Sequence, residues 1–232
     1  MKIRDLLFPP RCVLCDEVIS PSEGGCCEEC RPRLKYISEP WCLKCGAPVA
    51  DSEDSFCASC QVRSHYFTAG RALYEYSSVR TSIYRFKYSG RAEYGEFYGR
   101  EMAEKLKEQL KKWKPDALIP IPLHRTKERI RGYNQAERLA RAIGRYCDIP
   151  VFDRIVFRRQ RTRPMKELNV KERQNNLKKA FIIPQDVVKL RRVVLVDDIY
   201  TTGATMDSVS KLLLEKGVME VYTLTLAIGT GI

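Results

Sequence analysis

Apolar positions in the larger, C-terminal part of the chain follow two alternating periods. Tyr94, Tyr98, Met102, Leu106 and Leu110 recur every fourth place, which predicts one amphipathic helix stopping near Pro115. Ala117-Leu-Ile-Pro-Ile121 is a short apolar run of strand length. Ala136, Leu139, Ala140 and Ile143 mark the next helix. Val193-Val-Leu-Val196 has no polar residue and predicts a strand buried on both faces. From Thr205 to Lys216 a helix is expected, with Val209, Leu212 and Leu213 on its apolar face and Gly217 as its stop signal. A last strand, Glu220 to Ile228, follows. Strands alternating with helices argue for an α/β fold with a mostly parallel sheet flanked by helices.

Up to about His65 the texture differs. That segment lacks long periodic helices and is rich in Cys, Gly, Pro and Ser, which divides the chain into residues 1–65 and 66–232. Charge follows the same division. Residues 1–65 carry 8 Lys/Arg against 10 Asp/Glu, and residues 66–232 carry 33 against 19, so the formal charge of +12 belongs to the larger part. A surplus of that size favours polyanionic partners such as nucleic acid, or small phosphorylated ligands. The apolar runs are too short to cross a bilayer, and the charged opening Met1-Lys-Ile-Arg-Asp-Leu-Leu-Phe-Pro-Pro10 does not read as a secretory signal. A cytoplasmic protein without membrane insertion is expected.

The N-terminal segment contains four C-x-x-C pairs, Cys12/Cys15, Cys27/Cys30, Cys42/Cys45 and Cys57/Cys60, with 11 residues between each pair and the next. Two thiolates at that spacing share a tight knuckle, and two knuckles complete a tetrahedral four-sulfur site. Two structural Zn2+ ions are therefore expected, and their binding would supply the folding energy that so small an apolar content lacks. Pairing in sequence order is preferred over a crossed arrangement. A disulfide framework would need an oxidising compartment; a rubredoxin-like iron site uses the same ligands; a redox sensor is a weaker reading. Cys26 and Cys147 fall outside the pattern. Closed four-thiolate sites leave no open metal position, so the module is structural or recognitive.

The other concentration of chemistry is Asp197-Asp198-Ile199-Tyr200-Thr201-Thr202-Gly203-Ala204-Thr205. It leaves a parallel strand at its C-terminal end, where open α/β sheets bind ligands. The turn amides and the start of the next helix form an anion nest, with hydroxyls from Thr201, Thr202 and Thr205. Two carboxylates beside a phosphate site suit sugar hydroxyls, or Mg2+ at one remove, and the combination describes a ribose 5-phosphate. A P-loop is excluded because Gly-Lys-Ser/Thr is missing.

This stretch resembles the phosphoribosyl pyrophosphate (PRPP) signature of type I phosphoribosyltransferases. With the cysteine pairs, Phe86-Lys-Tyr88, Pro120-Ile-Pro-Leu-His-Arg125, Arg131-Gly-Tyr-Asn-Gln135, Arg173-Gln-Asn-Asn176 and Ala180-Phe181, the whole chain resembles the ComF family of competence-related proteins. The resemblance implies a double zinc ribbon joined to a type I phosphoribosyltransferase-like domain. It implies that Asp197 and Asp198 hold the ribose 2- and 3-hydroxyls with Mg2+ nearby, that Thr201 to Thr205 hold the 5-phosphate, and that Leu123, His124 and Arg125 hold pyrophosphate. For His124, a helix-capping or surface role is the alternative. Two departures stand out: Thr201 occupies the place where hypoxanthine-type transferases carry an acid, and Thr162-Arg-Pro-Met165 lacks the Thr-x-x-Gln frequent in the family.

Arg154 to Arg173 holds 8 Lys/Arg and only 2 acids. It suits a loop closing over an active site, or a surface tracking nucleic-acid phosphates with stacking from Phe157 or a nearby tyrosine. Arg131, Arg158, Arg159, Arg161, Arg163 and Lys166 are the nucleic-acid candidates. The family resemblance implies a protein that binds single-stranded DNA in natural transformation, alongside other competence proteins, with PRPP or a related ribose phosphate as ligand. The alternative is a Mg2+-dependent glycosyltransferase of the phosphoribosyltransferase class acting on an unidentified acceptor.

Overall fold

The computed structural model describes residues 9–50, 54–158, 180–184 and 189–229. Its centre is a four-stranded sheet in the order β1 (Ala69–Glu75), β6 (Glu220–Ile228), β5 (Arg192–Tyr200), β2 (Ala117–Pro120), with every neighbouring pair parallel. A parallel bridge from Leu118 to Val151 continues it beyond β2. The strands are buried along nearly their whole length, as a sheet covered on both faces requires.

On one face Leu118, Val194, Val196, Leu224 and Leu226 pack with α2 (Tyr76–Tyr88), α3 (Tyr94–Lys105) and α6 (Gln135–Cys147). On the other, Ile119, Val193, Leu195 and Val221 pack with α7 (Ala204–Glu215) through Val209 and Leu213. Short helices α1 (Ala58–Val62), α4 (Lys107–Trp113) and α5 (Arg125–Arg131) and a two-stranded antiparallel pair, β3 (Phe157–Arg158) with β4 (Phe181–Ile182), complete the described elements.

The expected strands and helices from residue 117 onward are present. The single helix expected from Tyr94 to Pro115 is instead broken at Leu106, whose φ of −107° and ψ of 14° end α3. The break turns Trp113 onto β6, where its ring stacks on Tyr222 with centroids 4.7 Å apart. Strand β5 also runs further than expected. It carries both acids and reaches Tyr200, because β6 pairs with it as far as Ile228 while β2 has already ended at Pro120.

The cysteine-rich segment wraps around the free edge of the sheet. Tyr36 bridges antiparallel to Tyr74, the Ile37 amide donates to Leu73 O, and the Glu75 amide donates to Lys35 O, so an otherwise open edge strand is covered. Before that crossing, Cys12, Cys26 and Cys30 are buried in the core on the α2/α3/α6 face; after it, Cys42 and Cys45 are buried on the α7 face. The two cysteine groups thus sit on opposite faces of one sheet. Polar contacts fasten the first group to its face: Tyr94 donates to Cys12 O at 3.1 Å and to Asp16 at 2.6 Å, and Arg91 pairs with Asp16 at 2.8 Å.

Candidate ligand site and metal centres

The cysteines gather in sequence order. Cys12, Cys15, Cys27 and Cys30 form one group and Cys42, Cys45, Cys57 and Cys60 another, with the sulfur atoms of each within 4.8 Å of one another. Closest approaches are 4.0 Å between Cys15 and Cys27 and 3.6 Å between Cys45 and Cys57. Four sulfurs placed tetrahedrally about 2.3 Å from Zn2+ stand roughly 3.8 Å apart, so both groups fit structural zinc. One thiol in each group is inclined to ionise, while burial pushes Cys15, Cys30 and Cys60 up and the bond to the Cys42 sulfur pushes Cys45 up. Burial opposes ionisation of Cys12, yet amides of Cys15, Cys27 and Leu14 outweigh it and hold the thiol down to about 6. Cys42 is held down to about 4, first by the Cys45 thiol and then against burial by nearby amides. Cys26 behaves oppositely: burial, then the charge at Cys12, pushes it up to about 12, which suits a protonated thiol outside the ligand set.

At the carboxyl edge of the sheet, β5 delivers Asp197 and Asp198 side by side. Asp198 is buried and accepts an ion pair from Lys87 Nζ at 2.9 Å; Asp197 is half-buried and accepts from the Asp198 amide at 2.8 Å. Burial, reinforced by the charge of Asp198, pushes Asp197 up to about 7, while Lys87 and Arg158 pull the other way. The acid pair is therefore poised to gain from a cation or from sugar hydroxyls.

Lys87 reaches the acids because two sequence motifs form one bonded unit. Tyr133 and Gln135 both donate to Phe86 O at the end of α2, and Arg131 donates to the Tyr88 hydroxyl at 3.1 Å. Asn134 caps α6 and donates to Ile121 O at 3.0 Å, which ties the same unit to the loop after β2. Lys87 is a site residue that sequence reasoning missed; its place inside the quoted Phe86-Lys-Tyr88 was the available signal.

After the acids comes the turn. Ile199 and Tyr200 end the strand, Thr201 and Thr202 are exposed, and Gly203 starts α7 with φ of 75°. A side chain at Gly203 would lie 2.5 Å from the Tyr200 hydroxyl and 2.9 Å from His65 Cε1, so the turn admits only glycine without rearrangement. Ala204 and Thr205 open the helix, with their amides toward its start. His65, buried and stacked on Phe67, meets Asp207 of α7 at 2.7 Å through Nδ1. A small cavity of about 120 Å3 separates Thr201 and Tyr200 from Cys45, Cys57 and Cys60, so the second cysteine group forms a wall behind the turn.

Beside β5, strand β2 leads into Leu123, His124 and Arg125. Ile121 donates to Val196 O at 2.9 Å, which holds this loop next to the acid pair. His124 caps α5 by accepting from the Thr126 amide at 3.3 Å, the helix-capping role weighed above. Leu123 and Arg125 line a cleft of about 610 Å3 whose far wall includes Phe157 and Arg158. Arg158 lies half-buried over the Phe181 ring at 5.4 Å, and burial lowers its pKa while Asp197 opposes the shift. Arg131 stands apart from this cleft, over the Tyr88 ring at 4.8 Å. Arg159, Arg161, Arg163 and Lys166, with Thr162–Met165 and Arg173–Asn176, lie outside the described residues.

Comparison with known proteins agrees with this arrangement. The double zinc ribbon domain family matches residues 3–61, and the phosphoribosyl transferase domain family matches residues 95–229. The chain belongs to the phosphoribosyltransferase domain family and, with the ribbon ahead of that domain, to the ComF family. It is 43% identical over 115 residues to competence protein F of Haemophilus influenzae, covering 49% of this chain and 50% of that one. It is 34% identical over 159 residues to competence protein ComFC of Streptococcus pneumoniae, covering 67% and 66%. DNA utilization protein YhgH of Escherichia coli K12 is 33% identical over 103 residues, covering 44% of this chain and 45% of the relative. The matches thus span between 45% and 66% of these relatives' lengths. A purine phosphoribosyltransferase structure from Pyrococcus horikoshii aligns at 22% identity and a TM-score of 0.35, over 57% of this chain and 73% of that one. Among the described residues no helix is long and apolar enough to cross a membrane.

Proposed function

We propose that the chain binds a ribose 5-phosphate, foremost PRPP with Mg2+, and serves as a cytoplasmic protein that handles single-stranded DNA in natural transformation together with other competence proteins. Residues 1–65 act as the zinc-ribbon module and residues 66–232 as the ligand-binding domain. The observation that carries the ligand reading is the acid pair, held by Lys87, standing directly before a glycine turn and beside the Leu123–Arg125 loop.

In this reading Asp197 and Asp198 accept hydrogen bonds from the ribose 2- and 3-hydroxyls. The hydroxyls and amides from Thr201 to Thr205 take the 5-phosphate. Leu123, His124 and Arg125 face the pyrophosphate, with Arg125 supplying positive charge. Hard carboxylate oxygens suit Mg2+, which supplies charge neutralisation to the pyrophosphate when bound. The DNA role is supported by the basic surplus of the larger part and by relatives named for competence and DNA utilization.

A second reading is favoured by the cleft of about 610 Å3 beside the Leu123–Arg125 loop, which has room for an acceptor. There the bond from ribose C1 to pyrophosphate breaks as an acceptor nucleophile bonds to C1, with the acceptor proton leaving to solvent. Thr201 offers no base for that proton. Thermal-shift measurements with PRPP plus Mg2+, ribose 5-phosphate and pyrophosphate test the ligand, with stabilisation expected from the first two. No shift from either sugar phosphate counts against the site. Pyrophosphate release on adding nucleobases or amines separates the enzyme from the binding protein.

A further inference from the structure

Helix α2 has one face that its core role does not explain. Val79, Ile83 and Phe86 point into the core, but Arg80, Thr81, Tyr84 and Tyr88 point outward. Tyr84 and Tyr88 are 61% and 57% exposed, and their rings lie 5.0 Å apart at the i, i+4 spacing. Arg131 extends this row, stacked over Tyr88 and bonded to its hydroxyl. A groove of about 520 Å3 runs alongside, lined by Tyr76, Arg80, Tyr84, Lys87 and Ile199 among others, and no carboxylate lines it among the described residues.

We infer that this face is a stacking platform for single-stranded nucleic acid, DNA in the reading above, on which it rests. Exposed aromatic rings offer bases a π-surface, and stacking on such rings contributes about 1–3 kcal/mol per base without needing a particular sequence. Arg80 and Arg131 supply cations for the backbone phosphates. A protein partner also uses Tyr and Arg at its contacts. Two features favour the nucleotide chain. No carboxylate lines the groove, and Arg80 has no ion-pair partner among the described residues. It is also continuous with the candidate ribose site, since Lys87 lines the groove and ion-pairs with Asp198, and Ile199 belongs to both. Bases laid on Tyr84 and Tyr88 therefore lead toward a site already suited to sugar and phosphate. Of the residues that sequence alone offered as DNA contacts, only Arg131 belongs to this platform.

The test is fluorescence anisotropy of the full, zinc-loaded chain with labelled oligothymidylate, the matching RNA and a duplex, across a salt series. Tyr84→Ala and Tyr88→Ala should each weaken single-strand binding about tenfold, leave duplex binding little changed and keep the salt slope. Tyr84→Phe should restore wild-type affinity, because the ring rather than the hydroxyl stacks. Arg80→Ala should instead lower the salt slope by about one. Thermal midpoint and PRPP binding should not move in Tyr84→Ala, whose ring faces solvent outside the unit that holds Lys87. Wild-type affinity in both alanine variants overturns the platform while leaving DNA handling intact. Absence of any oligonucleotide binding by the wild type overturns both. Stronger loss on RNA than on DNA keeps the platform and redirects its ligand.

Discussion

His65 Nδ1 lies 2.7 Å from Asp207 Oδ2, across 142 positions of sequence. The last residue of the cysteine-rich segment thereby holds the first turn of the helix that follows the glycine turn. Asp207 accepts a second bond, through Oδ1, from the Tyr66 amide at 2.9 Å, so both carboxylate oxygens are held by adjacent residues. We predict that His65→Ala lowers the thermal midpoint, because a buried partner is lost at a cost of about 1–3 kcal/mol, and weakens ribose 5-phosphate binding as the turn loosens. Thermal denaturation with and without ribose 5-phosphate reads both effects; unchanged affinity would separate the clasp from the ligand site.

Gly203→Ala should be more severe than an ordinary surface substitution. It combines a left-handed backbone with contacts of 2.5 Å and 2.9 Å on Tyr200 and His65. A loss of more than about 1 kcal/mol is expected in chemical denaturation, together with loss of phosphate affinity.

Asp197 sets the pH dependence. Because its folded value is raised to about 7, the native chain keeps a proton that the unfolded chain has released at lower pH. Its contribution to stability is present below the ordinary carboxylate range and lost as pH rises through about 7. Binding of Mg2+ and sugar hydroxyls selects the ionised acid, so PRPP affinity should increase between about pH 6 and pH 8. Lys87→Met removes a charge that opposes the shift, and the midpoint of that increase should move to higher pH. A pH-independent affinity in both proteins contradicts this account.

The two cysteine groups should differ in their effect on the ligand. Each should hold one zinc ion, so elemental analysis is expected to give two per chain. Cys57→Ala and Cys15→Ala should each lose one ion and destabilise the chain. Cys57 also faces the cavity behind Thr201, so its loss should weaken ribose 5-phosphate binding more than loss of Cys15 does. Equal affinities in the two variants would mean that the second group does not support the turn.

Much of this arrangement was legible in the sequence. Strands β2, β5 and β6 each contain an apolar run, and their alternation with amphipathic helices pointed to a parallel sheet. The cysteine groups followed from constant spacing, and their pairing in sequence order is the one the fold adopts. Other features depend on contacts between distant residues, which no local pattern encodes. Strand β1 and helix α2 adjoin without a turn signal, so neither stood out; Tyr76 begins the helix directly after Glu75. The ion pair of Lys87 with Asp198 joins two segments more than a hundred residues apart. The straddling of the sheet edge by the two cysteine groups likewise arises from the pairing of Tyr36 with Tyr74.

In the proposed function, Asp197, Asp198 and the turn from Thr201 to Thr205 form a ribose 5-phosphate site. Calorimetric titration of PRPP into the zinc-loaded chain, with and without Mg2+, tests it most directly when repeated on the Asp197→Asn, Asp198→Asn double variant. The account predicts Mg2+-dependent binding by the wild type that the double variant loses while its zinc content and thermal midpoint persist. Absence of heat with the wild type, or equal binding by the double variant, would contradict it.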